Sequence, residues 1–366
     1  MAQNRLQSGI GAVRERTAHL LTRVYTPRFT RRLATVTAAG MFVVYVLGTL
    51  VTTTGSGHGC GNSWPLCRGK FIPSFAITTA IEFTHRIATS LITVLVLALA
   101  LGLLWLWRAR LEIRILAPLM VVALFAEAGL GAALVLARES ALLLAVHFGA
   151  SLILFTSILL AAMIVNELDR WDGMRDRPLP GGFRWLVFGM AVYTYVVGYL
   201  GAYMRLRGDE LACDSWPLCG RGQAIPGLSG AQGINFIHRL AALLLLAGAV
   251  WLFIWARSLR RARPDLYRGT AWALALVLAQ AAAGAIVVLT RVAEASQMLH
   301  AGLVALLFGA LCYVALHTLP RPTVVRAAGR VVVRPVAAGT AGTTAETAGA
   351  QTQGATAAAA APTKGA

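Results

Sequence analysis

Apolar residues fall into eight long blocks, at roughly 33–54, 77–107, 113–136, 141–166, 183–204, 231–257, 268–290 and 294–318, separated by short polar segments. A helix rising 1.5 Å per residue needs ~20 apolar residues to cross a hydrocarbon core. Every block reaches that length. The pattern therefore predicts an all-α membrane protein with eight transmembrane helices.

The blocks repeat. Glu82-Phe83-Thr84-His85-Arg86 near the start of the second block returns 153 positions later as Asn235-Phe236-Ile237-His238-Arg239. Gly131, Arg138 and His147 keep the same offset to Gly284, Arg291 and His300. Tyr45-Val46-Leu47-Gly48 is matched to Tyr195-Val196-Val197-Gly198, and Ser63-Trp64-Pro65-Leu66-Cys67 to Ser215-Trp216-Pro217-Leu218-Cys219. Four helices per half is an even number, so both halves insert the same way up. Two parallel-repeat four-helix bundles, related by an axis along the membrane normal, are expected.

Charge then orients the chain. The segments 1–32, 108–114, 167–184 and 257–268 hold 19 Lys/Arg, whereas those on the other side of the membrane hold 7. The richer side faces the cytoplasm, which places both termini there, in the cell membrane. Trp105, Trp107, Trp251 and Trp255 fall near the inner helix ends, as an interfacial belt would. The net charge of +18 thus serves topology, and nucleic-acid binding is set aside. No cleavable leader is read in the arginine-rich start. The expected organisation is a basic cytoplasmic arm at 1–32, an amino-terminal half at 33–166, a cytoplasmic linker at 167–182 and a carboxy-terminal half at 183–318. An Ala/Thr-rich tail at 319–366 is expected to be disordered.

Four histidines stand inside these blocks, where burial is costly without a partner. His85 and His147 lie near the outer starts of the second and fourth helices, His238 and His300 near those of the sixth and eighth. Two imidazoles at similar depth on two helices suit axial ligation of a haem iron. Hydrogen bonding across helices is the plainer alternative. The halves differ informatively beside the first histidine: Glu82 stands where the second half has Asn235, three residues before the histidine and on the same face. Desolvation beside a haem edge would suit Glu82 to proton transfer, while a carboxylate snorkelling to the interface is the competing role. Glu127, with Gln280 as counterpart, is a second acid of the first half only, fit for a proton relay or a structural hydrogen bond. Arg86, Arg138, Arg239 and Arg291 are candidate haem-propionate contacts, or else bind headgroup phosphates. Cys60 with Cys67, and Cys213 with Cys219, face the outer, oxidising side, and two structural disulfides are the default. A shared zinc site or redox-active thiols are the alternatives. Cys312 reads as a small buried apolar residue.

With these motifs together, residues 33–318 resemble the haem A synthase family. The resemblance implies a membrane oxidoreductase that converts the C8 methyl of haem O to a formyl group, giving haem A for aa3-type terminal oxidases. It implies that His85 and His147 face the substrate haem with Glu82 as the catalytic acid, and that His238 and His300 ligate a permanent haem b. Cys60 and Cys67 match the family's external cysteine pair, and Cys213 and Cys219 the second pair found in some members. Implied partners are haem O, membrane lipid, a haem O synthase (a protohaem farnesyltransferase) and an electron donor, and a homo-oligomer is compatible with the sequence. The extended tail departs from the family pattern. Two other classes compete. A di-haem b electron-transfer cytochrome, akin to a quinol oxidoreductase, explains the histidines but not the Glu82/Asn235 difference. A parallel-repeat transporter would need a midplane polar cluster that the sequence lacks.

Overall fold

The structure is a computed structural model that describes residues 15–70, 76–137, 140–168, 174–175, 177–219, 225–319, 323–327 and 330–334. Its first unit contains eight long helices: α1 (Pro27–Thr53), α2 (Ile77–Trp107), α3 (Leu111–Leu136), α4 (Ala141–Glu167), α5 (Gly181–Leu206), α6 (Gly230–Ser258), α7 (Pro264–Leu289) and α8 (Glu294–Thr318). All eight are long and apolar enough to span a membrane. Two begin at least a full turn before the apolar blocks suggest. The Thr26 hydroxyl accepts from the Phe29 N–H at 3.2 Å and Pro27 fills the first helical position, so α1 starts inside the basic arm. Pro264 starts α7 in the same way, inside a segment read as a loop.

Helix contacts form two closed circuits. α1, α2, α3 and α4 touch in that order, with α4 returning to α1, and α5, α6, α7 and α8 do likewise. The circuits meet through α4 against α5, and through α8 against α1 and α4. Glycines allow the close approach: a Cβ on Gly149 would lie 2.6 Å from the Tyr195 hydroxyl, and one on Gly302 would lie 3.2 Å from Phe42. Phe42 and Tyr195 are 153 residues apart, as are Gly149 and Gly302. This corrects the register read from the Tyr-Val-x-Gly string, for Tyr195 takes the place of Phe42 and not of Tyr45. A shared tetrapeptide aligned α1 and α5 three residues away from the register in which their faces pack.

Large apolar side chains such as Leu91, Val94, Val122, Phe125, Leu243 and Leu289 stand exposed on the outer helix faces, as lipid contact requires. At the end of the bundle opposite the cysteine loops, Arg263 is fully buried. It donates to both oxygens of Asp265, at 3.1 and 2.7 Å, and to the His317 carbonyl at 2.6 Å. Counted above among the orienting loop charges, it instead ties α7 to the end of α8.

In the second unit, Thr323–Ala327 and Arg330–Arg334 pair as an antiparallel hairpin, within a stretch expected to be disordered. Their β-branched valines favour extended backbone. The rest of the tail from residue 335, the first 14 residues of the arm, Arg138 and part of the 167–182 linker lie outside the described residues.

Candidate functional site

Each of the four histidines leans on a glycine of the preceding helix. A Cβ on Gly48 would lie 3.3 Å from the His85 ring, one on Gly131 3.6 Å from His147, one on Gly201 2.6 Å from His238 and one on Gly284 3.3 Å from His300. Gly48 and Gly201, like Gly131 and Gly284, are 153 residues apart, so the four contacts form two equal sets. His85 and His238 come eight residues after the first residue of their helices, and His147 and His300 six, or about 12 and 9 Å along the axis. His85 interacts electrostatically with His147, and His238 with His300. All four rings are half-buried, and each Nδ1 is buried without a well-aligned hydrogen bond. Paired imidazoles laid on bare backbone, with buried nitrogens unsatisfied, have the capacity to hold one iron porphyrin per half.

The polar neighbours distinguish the halves. Glu82, 4% exposed, accepts from the Cys60 N–H at 2.7 Å through Oε2 and from Arg86 Nη2 at 2.5 Å through Oε1. Asn235, 2% exposed, instead donates to the Asp209 and Glu210 carbonyls at 3.1 and 2.9 Å. Both side chains bind the preceding loop to the helix that carries the histidine, one as acceptor and the other as donor. Deeper in the bundle, Glu127 Oε2 lies 2.5 Å from His147 Nδ1, an ion-pair distance without hydrogen-bond alignment. Its counterpart, Gln280 Nε2, lies 3.2 Å from His300 Nε2.

The loops that precede α2 and α6 are closed by disulfides, Cys60–Cys67 and Cys213–Cys219. The shared zinc site is therefore excluded, and among the described residues no His/Cys/Asp/Glu cluster fits a metal ion. Arg86 Nη1 donates to the Ser63, Pro65 and Leu66 carbonyls at 2.8, 3.5 and 3.4 Å. Arg239 Nη1 repeats this on Ser215, Pro217 and Leu218 at 2.6, 3.1 and 3.1 Å, while its Nη2 reaches Cys213 at 2.9 Å. Of these two candidate propionate contacts, Arg239 thus directs both terminal nitrogens to its own loop, and Arg86 directs one to its loop and the other to Glu82. Arg291 is exposed in the turn between α7 and α8, and Arg138 lies outside the described residues. Cys312 is a free, partly buried thiol.

Sequence reading missed Arg205. Its Nε donates to Gln297 of α8 at 2.6 Å, and Nη1 and Nη2 both reach the Thr52 hydroxyl of α1 at 3.1 Å. Thr52 is its own counterpart at the 153-residue offset, so this bond joins the two halves at equivalent points beside the histidine layer. The offset would have flagged the pair had α1 and α5 been aligned in the packing register.

Known proteins share this chain's sequence over most of its length. The COX15-CtaA family model, described as cytochrome oxidase assembly protein, matches residues 31–312. The heme A synthase of Symbiobacterium thermophilum is 41% identical over 294 residues, covering 79% of this chain and 95% of that protein. A heme A synthase of Bacillus cereus is 36% identical over 287 residues, covering 78% and 92%, and one of Bacillus anthracis matches to the same extent. The matched span takes in all four histidines, Glu82 and both disulfide loops, and the chain, a multi-pass membrane protein, belongs to the COX15-CtaA family of cytochrome oxidase assembly proteins.

Proposed function

We propose that the chain is a haem A synthase, an oxidoreductase that converts the C8 methyl of haem O to a formyl group. The observation that carries this reading is the doubled histidine–glycine cradle with a buried acid at the mouth of only one copy. Relatives of 35–41% identity that bear the name support it. His85 and His147 would hold the substrate haem O, and His238 and His300 would hold a resident haem b. Haem b would supply one-electron transfer to and from the substrate site. The glycines let each imidazole approach bare backbone, and the disulfide loops close the outer ends of the helices.

Glu82 is the proposed catalytic acid. It stands one turn outward from His85, buried, with two donors holding its carboxylate. With water as the oxygen source and an external electron acceptor taking the electrons, turning a methyl into a formyl group releases protons, and a fixed carboxylate beside the ring is placed to accept them. Asn235 offers no such group in the second half. Among the described candidates, Arg291 is the one exposed and so open to a propionate. Both termini facing the cytoplasm is part of the same proposal, supported by the Lys/Arg excess on that side.

Acid-acetone extraction of the purified protein, made in cells that supply haem O, tests the reading. Haem b together with haem O and A is expected. Haem b alone, with no conversion of supplied haem O, would favour the di-haem electron-transfer cytochrome.

A further inference from the structure

One contact separates the halves beyond what the proposed reaction uses. Glu127 and Gln280 each stand four residues before the glycine that cradles a histidine, on the same helix face and one turn away. Glu127 places a carboxylate oxygen 2.5 Å from His147 Nδ1, whereas Gln280 offers a neutral amide to the other ring nitrogen, Nε2, of His300 at 3.2 Å. Glu127 is 9% exposed, and its other oxygen is buried without a hydrogen-bond partner. Within electrostatic range lies the Tyr45 hydroxyl, likewise buried and unpartnered. At the packing offset Gly198 takes the place of Tyr45, so acid and phenol both belong to the first half alone.

We propose that Glu127 is a positioning residue that acts through His147, making it a stronger electron donor than His300 and lowering the potential of the haem held in the first half. The proposal rests on the haem ligation set out above. A carboxylate at one imidazole nitrogen raises the basicity of the other. That influence is Coulombic and, in a low-dielectric interior, does not need a linear N–H···O bond. The Gln280 amide carries no net charge and exerts no comparable effect. Axial-ligand basicity and local charge are levers on haem potential, so the first-half iron becomes easier to oxidise than it would be beside an amide.

Redox titration of the haem-loaded protein, followed in the visible spectrum, tests this with Glu127→Gln and Gln280→Glu beside the parent. Glu127→Gln is expected to raise the midpoint of the first-half haem, with the other unmoved and both haems retained. Gln280→Glu is expected to lower the second-half midpoint. Unmoved midpoints with full haem content, or a loss of thermal stability alone, would overturn the proposal. Should Glu127→Gln fail to fold, Gln280→Glu decides by itself. A parent whose haem spectrum is untouched by His85→Ala would overturn the ligation reading first, and this proposal with it.

Discussion

At the residue scale, Glu82 carries two duties that substitution can separate. Its Oε2 receives the Cys60 N–H and its Oε1 receives Arg86, so the carboxylate fastens the disulfide loop as well as standing next to the His85 layer. A glutamine keeps a carbonyl for the Cys60 N–H but cannot accept a proton at neutral pH. Glu82→Gln is therefore expected to keep its haem content and lose conversion of haem O by roughly 10²–10⁴-fold. Conversion near the parent rate would reduce Glu82 to a loop anchor. The sequence made Glu82 and Glu127 visible as acids without counterparts, because the second copy supplies Asn235 and Gln280 for comparison. It did not disclose their partners. The Cys60 N–H and His147 Nδ1 reach these acids from distant chain positions, and nothing in local composition encodes such a meeting. Arg86 and Arg239 show the same limit. A cation near a haem layer suggests a propionate, whereas the folded loops turn three carbonyls toward each guanidinium.

At the element scale, the helices were legible because lipid leaves backbone groups no other partner, which forces long apolar runs into helices. Their starts were less so, since the Thr26–Pro27 cap and Pro264 lie in charged segments that hydropathy discards. The glycine cradles were invisible for a different reason: a glycine matters here only through the ring opposite. They grade the expected damage. Gly201→Ala puts a Cβ 2.6 Å from His238, against 3.3 Å for Gly48→Ala and Gly284→Ala and 3.6 Å for Gly131→Ala. Haem lost per protein, read from the pyridine haemochrome spectrum, is expected to be greatest for Gly201→Ala and least for Gly131→Ala. The reverse order would count against histidine–glycine packing as the determinant. At the other end of α7, Asp265→Ala strands the fully buried Arg263 and is expected to cost about 3–5 kcal/mol, seen as a lowered thermal midpoint. Asp265→Asn should cost less, because it leaves an acceptor in place.

At the scale of the whole molecule, the repeat is the organising fact. It gives two circuits of four helices, joined where Gly149 meets Tyr195, where Gly302 meets Phe42 and where Arg205 meets Thr52. Divergence within that frame then assigns unlike work to like halves: acids in the first, amides in the second. The account stands on each half holding its own haem between its own histidines. Haem content by type in His85→Ala and His300→Ala proteins tests this most directly. The account predicts that His85→Ala loses haem O and A while keeping haem b, and that His300→Ala loses haem b while still binding haem O. Loss of the same haem from both variants, or retention of every haem in both, would contradict it.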